Sequence, residues 1–320
     1  MSATTISDTS DTSDQGERER LRRPSRTRTL RLGDLRISHV ADGAVRLKPR
    51  GWFPASTDED WVRYADHLDD QGALVAGIGG LLVEYGERAL LIDAGLGPDA
   101  APDDPENGWI GAIHGGRLLD SLAELGRSPA DIEAVAVTHL HTDHIGWAWN
   151  PAPGSDRPAF TGATYLFGAD EWNGRHRIPG VHGITEEILA ALEPRARTVA
   201  EGEEIFPGVR VLSTPGHTVG HTAYVIESGG RRLIAFGDAL HSPVQISHPE
   251  WSAAPDVDAD RSADHRRRLV AELSAPGTVG YGIHFADVVF GRVERRAGTE
   301  AGAGAEAGAG RAVWVPVEGA

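Results

Sequence analysis

The chain has 320 residues, 40% of them apolar, and a formal net charge of −16 at pH 7. That length can bury a sizeable core, and the acidity disfavours a nucleic-acid backbone as partner. Cysteine is absent, which excludes disulfides, thiol nucleophiles, iron–sulfur clusters and thiolate metal sites, so any metal must be held by nitrogen and oxygen. No apolar run reaches the roughly 18 residues that a membrane span requires.

Residues 1–27 are rich in Ser, Thr, Asp and Arg and contain no apolar segment able to form the core of a signal peptide. They are expected to be a disordered tail on a cytoplasmic protein. From Thr29 to Leu47 an alternating pattern predicts two short strands, with turns at Gly33-Asp34 and Asp42-Gly43. A segment bearing Trp52, Phe53, Trp61 and Tyr64 follows, and then GGLLVEYG and RALLIDAGLG read as a hairpin that turns at Gly86-Glu87. GRLLDSLAELG has helical spacing and ends on glycine. AVAV and ATYLFG are strand-like, and ITEEILAALE is helical.

VRVLS, TAYVIES and RRLIA are three further strands, two of them joined at Gly229-Gly230, and DADRSADHRRRLVAELS is a charged amphipathic helix. A strand through Val288 and another at AVWVPV close the chain, with the Ala/Gly-rich stretch 297–310 as a long hairpin loop between them. Strands arrive in two batches, each followed by helices and with no wide linker. That order predicts one domain over 28–320, of class α+β, in which two mixed β-sheets pack together with helices outside.

The chemistry concentrates in THLHTDHIGW, residues 138–147. His139, His141 and Asp143 share a parity, so an extended backbone would present them on one side. His144 requires the chain to turn, as into the first turn of a helix. Imidazole and carboxylate donors suit a borderline divalent ion such as zinc. Later apolar runs end in TPGHTVGH, with His217 and His221, in FGDA, with Asp238, and in YGIHF, with His284.

HLHTDH resembles the H-x-H-x-D-H signature of the metallo-β-lactamase superfamily, and the later TPGHTVGH, GDA and GIHF segments follow in that family's order. The resemblance runs from about Thr29 to Val317. It implies a four-layer αβ/βα sandwich with a dinuclear metal site along one edge. His139, His141 and His217 would hold one ion, Asp143, His144 and His284 a second, and Asp238 would bridge them. The cofactors would be two divalent metal ions, Zn2+ by donor type, sharing a bridging hydroxide that attacks the substrate. Asp143 and Asp238 would be the catalytic carboxylates. Asp93 would orient a ligand histidine from behind, and His221 would support the site without binding metal.

Within the superfamily, the quorum-quenching lactonases and the methyl parathion hydrolase-like enzymes are most similar in pattern. DHIGW followed by YLFGADEW carries that likeness. It implies a hydrolase of small esters or lactones, such as acyl-homoserine lactones. A phosphotriester or aryl ester hydrolase is the alternative, with a mononuclear iron oxygenase or a non-hydrolytic metal-binding protein behind it. The expected partner is a small-molecule substrate, with no nucleic acid and no membrane, and relatives of this type often form homodimers. Trp147, Trp149, Trp172 and Phe285 flank the motifs and are candidates for an apolar substrate wall. Among the remaining histidines, His114 and His241 are the best candidates to join it. Removal of residues 1–27 is expected to leave activity largely intact, which turnover by the truncated protein would check.

Overall fold

The alternation between Thr29 and Leu47 does produce strands, but the chain reverses once rather than twice. In the computed structural model, which describes residues 16–177, 184–296 and 310–317, β1 (Arg28–Leu32) turns at Gly33 (φ 57°) into β2 (Leu35–Leu47). Asp42-Gly43 is not a turn. It is a bulge inside β2, where the register against the next strand shifts between Ala41 and Gly43. A bulge re-aims one side chain without ending the ladder. Here it frees the Asp42 carboxylate to accept the backbone N–H groups of Leu96, Gly97, Gly116 and Leu118 and the Trp147 indole.

The strands that follow are β3 (Leu74–Tyr85), β4 (Arg88–Ile92), β5 (Ala100–Ala101), β6 (Ile110–His114), β7 (Ala134–Val137), β8 (Thr164–Gly168), β9 (Ala196–Val199), β10 (Glu204–Phe206), β11 (Val209–Ser213), β12 (Thr222–Ser228), β13 (Arg231–Ala235), β14 (Thr278–Tyr281), β15 (Phe290–Arg296) and β16 (Arg311–Pro316). Among the described residues they form two sheets. One has nine strands in the order β5-β6-β2-β3-β4-β7-β8-β9 with β1 on β2, and the other has seven, β10 to β16 in sequence. Both are mixed: β4, β7, β8 and β9 run parallel in the first, and β13 and β14 in the second.

Alternate side chains of each strand face opposite sides, and the burial follows that parity. Leu81, Val83, Leu90 and Ile92 meet Val209, Val211, Tyr224, Ile226 and Leu233 between the sheets. Leu82, Leu91, Val135 and Val137 face outward onto helices through Leu118, Leu122, Ile145 and Ile188. On the far side of the second sheet, Ile234 and Phe236 pack on Leu269, Val270 and Leu273 of the helix Ala259–Leu273, whose cap Asp258 accepts from Arg261 N–H. The layers are therefore helix, sheet, sheet, helix, and the class is α+β. A separate cluster joins Trp52, Phe53, Trp61, Tyr64 and Trp251 at one end of the sandwich.

Two boundaries differ from the sequence expectation. The last-but-one strand begins at Phe290, two residues beyond Val288. Its antiparallel pairing to β16 brings Arg296 opposite Arg311, as a hairpin requires, while residues 297–309 lie outside the described residues. The tail read to residue 27 stops earlier. Residues 16–21 are helical, and Arg20, Arg23 and Ser25 bond to Asp287. Composition alone grouped these arginines with a solvated tail because their acceptor lies some 260 positions away in sequence, at a separation of 267 for Arg20.

His39, in the middle of β2, is buried with Nδ1 2.8 Å from the Tyr281 hydroxyl. That hydroxyl donates to Gly80 O at 3.1 Å, so His39 Nδ1–H donates to the phenolic oxygen. Burial pushes the His39 pKa down to about 3; Asp287 opposes the shift and Arg28 adds to it. The unfolded imidazole titrates near about 6.5, so the unfolded chain takes the proton first. The contribution of His39 to stability is therefore full above about pH 6.5 and is lost as pH falls toward about 3, by up to about 1.4 kcal/mol per pH unit. The urea midpoint is expected to drop between pH 7 and pH 5, and to drop less for His39→Gln. An equal acid loss in both proteins would remove His39 from the explanation.

Candidate metal centre

The histidine motif begins where β7, buried on both faces between β4 and β8, runs out of ladder. His141 is on extended backbone (φ −82°, ψ 150°), and the helix Thr142–Trp149 starts immediately after it. Asp143 and His144 therefore occupy its first turn. His139 and His141 share one donor group, and the helix start before Asp143 splits the motif between two points in space. One group comprises His139, His141, His217 and Asp238, the other Asp143, His144 and His284; within each, the donor atoms lie within 4.8 Å of one another. His217 follows β11, Asp238 follows β13 and His284 follows β14, so the loops leaving four strands converge.

Asp238 stands between the groups. Its Oδ2 lies 3.4 Å from His217 Nε2 and 3.7 Å from His139 Nε2, while Oδ1 lies 3.1 Å from His144 Nε2 and 3.0 Å from His284 Nε2. Asp143 Oδ2 is 3.7 Å from His144 Nε2 and 3.8 Å from His284 Nε2. His141 Nδ1 faces His139 Nε2 at 2.8 Å and His217 Nε2 at 3.1 Å. All seven side chains are buried except Asp143, which is 21% exposed.

The donor set fits a pair of divalent cations. His144 Nε2 and Asp238 Oδ1 are buried and make no hydrogen bond of acceptable geometry. Three imidazole nitrogens crowded within contact distance repel one another unless a proton or a cation lies among them. Burial, with His144 and His141 beside it, holds the His139 pKa well below the usual imidazole value. Burial opposes charge on His144 too, but Asp238, Asp143 and Asp93 outweigh it and raise that pKa. For Asp238, burial favours the acid, yet His284, His144 and His139 hold the carboxyl well below its usual range. One carboxylate thus concentrates negative charge at the junction of the two groups.

A second set of contacts fixes the donors. Asp93, at the end of β4, adopts a left-handed backbone (φ 61°), uncommon for a residue with a side chain. It accepts from Thr138 N–H at 2.8 Å and from His144 Nδ1 at 2.9 Å, which leaves Nε2 of that ring facing Asp238. His221 is buried and its pKa is pushed down to about 3 by burial and by His217 nearby. Its Nδ1 pairs with Thr214 Oγ1 and its Nε2 accepts from Asp238 N–H, so neither nitrogen reaches the donor groups. Gly237 (φ 49°) permits this contact, since a Cβ there would stand 2.9 Å from His221 Nε2.

Several supports carried no recognisable framing in sequence. Asp256 Oδ1 pairs with His217 Nδ1 at 2.9 Å, and its other oxygen with the buried Arg266 at 3.1 Å. Glu171 accepts from Leu140 N–H, Thr218 Oγ1 and Gly220 N–H, tying the 138–144 loop to the 214–221 loop. Gly77 O receives His284 Nδ1–H at 2.7 Å.

A cavity of about 330 Å³ opens over the donors, bordered by His141, Asp143, His217, Asp238 and His284. Its apolar side is Val45, Leu47, Trp52, Trp109, Ile110 and Ile113. None of the four aromatics expected there borders it. Trp147 packs outside the first sheet with its indole on Asp42, because only the first turn of its helix faces the donors. Trp149 packs against the same layer, Trp172 stacks on Phe167, and Phe285, adjacent to His284, turns the opposite way onto Phe236 and Trp314. His114 is exposed at the end of β6. His241 does border the cavity. It is buried, with Nε2 3.2 Å from Asp238 Oδ2 and no hydrogen-bond partner for Nδ1.

Loops from neighbouring strand ends bring seven nitrogen and oxygen donors, able to hold metal, to one edge of a four-layer αβ/βα sandwich. Residues 81–278, more than half of the chain, match the Metallo-beta-lactamase superfamily, and the chain belongs to that family. It is 28% identical over 164 residues to an N-acyl homoserine lactonase of Bacillus cereus, an overlap of 48% of this chain and 59% of that one. A Bacillus thuringiensis N-acyl homoserine lactonase is 30% identical over 159 residues, 46% and 57% of the two chains. The chain thus spans less than two thirds of the length of these curated relatives. Among solved structures, the dizinc quorum-quenching lactonase AidC, in complex with a hexanoyl-homoserine product, has a similar fold (TM-score 0.74, 22% identity, 92% of this chain and 98% of that one). So has the hydrolase AbOPH of the beta lactamase superfamily (TM-score 0.73, 23% identity, 92% and 98%).

Asp256→Asn is expected to weaken divalent-metal binding about tenfold or more by freeing the His217 ring. It should also destabilise the fold by about 3 kcal/mol by leaving Arg266 buried without its anion. Metal competition with a chelator and urea unfolding would read the two effects; unchanged metal affinity would show that His217 is held by its other contacts.

Proposed function

We propose that this chain is a metal-dependent hydrolase that cleaves a small ester or lactone, with N-acyl homoserine lactones as its substrate class. The observation that carries the reading is the pair of donor groups sharing Asp238 at the floor of a part-apolar cavity. His139, His141 and His217 would hold one ion, Asp143, His144 and His284 the other, and Asp238 would give one oxygen to each. Zinc suits this nitrogen and oxygen set. When bound, such a pair would supply Lewis acidity and a hydroxide nucleophile at neutral pH, because it lowers the pKa of a bound water toward about 7.

The chain's own groups do the rest. Asp143, the most exposed of the donors, borders the cavity, and in this reading it would orient the attacking water and take up its proton. His241 faces the same space, and burial holds its pKa below the ordinary imidazole value despite Asp238. A neutral ring there can donate one hydrogen bond to the carbonyl or leaving oxygen of a substrate. The apolar side, with Trp52, Ile110 and Ile113, buries an acyl chain and leaves the ester group over the donors.

The indoles of Trp52 and Trp109 favour a second reading, in which the same site takes aryl esters or phosphotriesters. A mononuclear iron oxygenase would leave three of the donors without a task.

Purified protein is expected to carry about two zinc-like ions per chain and to hydrolyse acyl-homoserine lactones faster than aryl esters or phosphotriesters. His141→Ala is expected to lose metal and turnover together. Normal turnover in that variant would refute the assignment, and a single iron per chain would redirect it to the oxygenase. Trp52→Ala should raise KM for long acyl chains more than it lowers kcat.

A further inference from the structure

Asp287 lies three residues after His284 and is fully buried. Every polar atom it has is engaged by the segment 20–28. Oδ1 accepts from Arg28 Nε at 2.8 Å and Nη2 at 2.6 Å, and from Ser25 Oγ at 3.3 Å. Oδ2 accepts from Arg23 Nε at 3.0 Å, with Nη2 at 2.9 Å. The carbonyl accepts from Arg20 Nε at 3.0 Å and Nη2 at 2.8 Å, and the Asp287 N–H donates to Arg20 O at 3.0 Å. Three guanidinium groups from one short stretch thus converge on a residue that is remote in sequence.

The turn they grip is the one that presents His284. Ala286 within it has a left-handed backbone (φ 45°), a conformation that a residue with a side chain holds only when its surroundings impose it. Phe285 is buried in the cluster against which Leu21 of the same N-terminal stretch packs. The His284 ring itself is oriented by its Nδ1–H donating to Gly77 O. A Cβ on Gly77 would stand 3.1 Å from Ile283 O, so β3 packs closely against the histidine turn. A buried carboxylate stripped of its cations would carry an uncompensated charge, and the turn would have to move to rehydrate it.

We propose that Asp287, gripped by Arg20, Arg23 and Arg28, is a positioning residue that sets His284 at the second donor group, so that residues 20–28 are a working part of the metal centre. This rests on the reading of His284 as a metal ligand. It also reverses the expectation that residues 1–27 are dispensable.

The test uses the full chain loaded with zinc, with both binding steps measured by chelator competition and zinc content measured after dialysis. Asp287→Asn, and the double variant Arg23→Gln with Arg28→Gln, are expected to loosen one of the two ions by about 10- to 100-fold and leave the other as tight as in the unaltered chain. Activity lost on dialysis should return in excess zinc, and Arg28→Lys should lose less than Arg28→Gln. Deletion of residues 1–15 alone should leave both ions in place. His284→Ala is the reference: if it loses one ion while the Asp287 and arginine variants keep both at full affinity, the positioning role is overturned. If His284→Ala itself keeps both ions, the ligand reading fails and the proposal falls with it. Should Asp287→Asn not fold, the single Arg23→Gln and Arg28→Gln variants carry the same comparison, since each leaves two arginines on the turn.

Discussion

The carboxylate of Asp238, buried with imidazoles against both of its oxygens, is the contact on which the remaining geometry turns. A lone carboxylate in such a place would be driven to protonate. His284, His144 and His139 keep it ionised instead. The same charge raises the pKa of His144 and His284, while burial, with His144 and His141 beside it, holds that of His139 low. A centre arranged in this way is ready for divalent cations, because much of the cost of bringing its donors together has been met by folding.

Folding meets that cost through carboxylates one layer farther out. Asp93 holds His144, Asp256 holds His217, Glu171 ties two donor loops together, and Asp42 gathers backbone N–H groups beneath the Trp147 helix. Each is buried and each has several donors on it. Asp287 extends the same device to His284, with charged partners supplied by the N-terminal segment. The acidity of the chain is therefore not all solvation, since part of it is spent internally on aiming histidines.

Much of the donor set was legible in the sequence, because each ligand type stands directly after an apolar run, and strand ends are where a sandwich exposes its loops. The hairpins at Gly33, Gly86 and Gly229-Gly230 were legible for a similar reason: a local conformational need selects glycine. The bulge at Asp42-Gly43 was misread as a turn, since Asp-Gly is a strong turn signal and nothing nearby reveals that β3 pairs with β2 both before and after the bulge. The four aromatics expected to line the cavity do not border it. Trp147, Trp149 and Phe285 lie close to the donors in sequence, and proximity in sequence does not say which way a ring points.

The sequence by itself determined which side chains can bind a metal and that they would meet at strand ends, because residue chemistry and hydrophobic alternation are local properties. Only the tertiary structure decided which carboxylate backs which ring, and that Trp52 and Trp109, rather than Trp147 or Phe285, face the cavity. Those outcomes depend on where a helix begins after His141 and on contacts between segments far apart in the chain, such as Arg23 with Asp287. No local pattern encodes a partner that folding alone brings near.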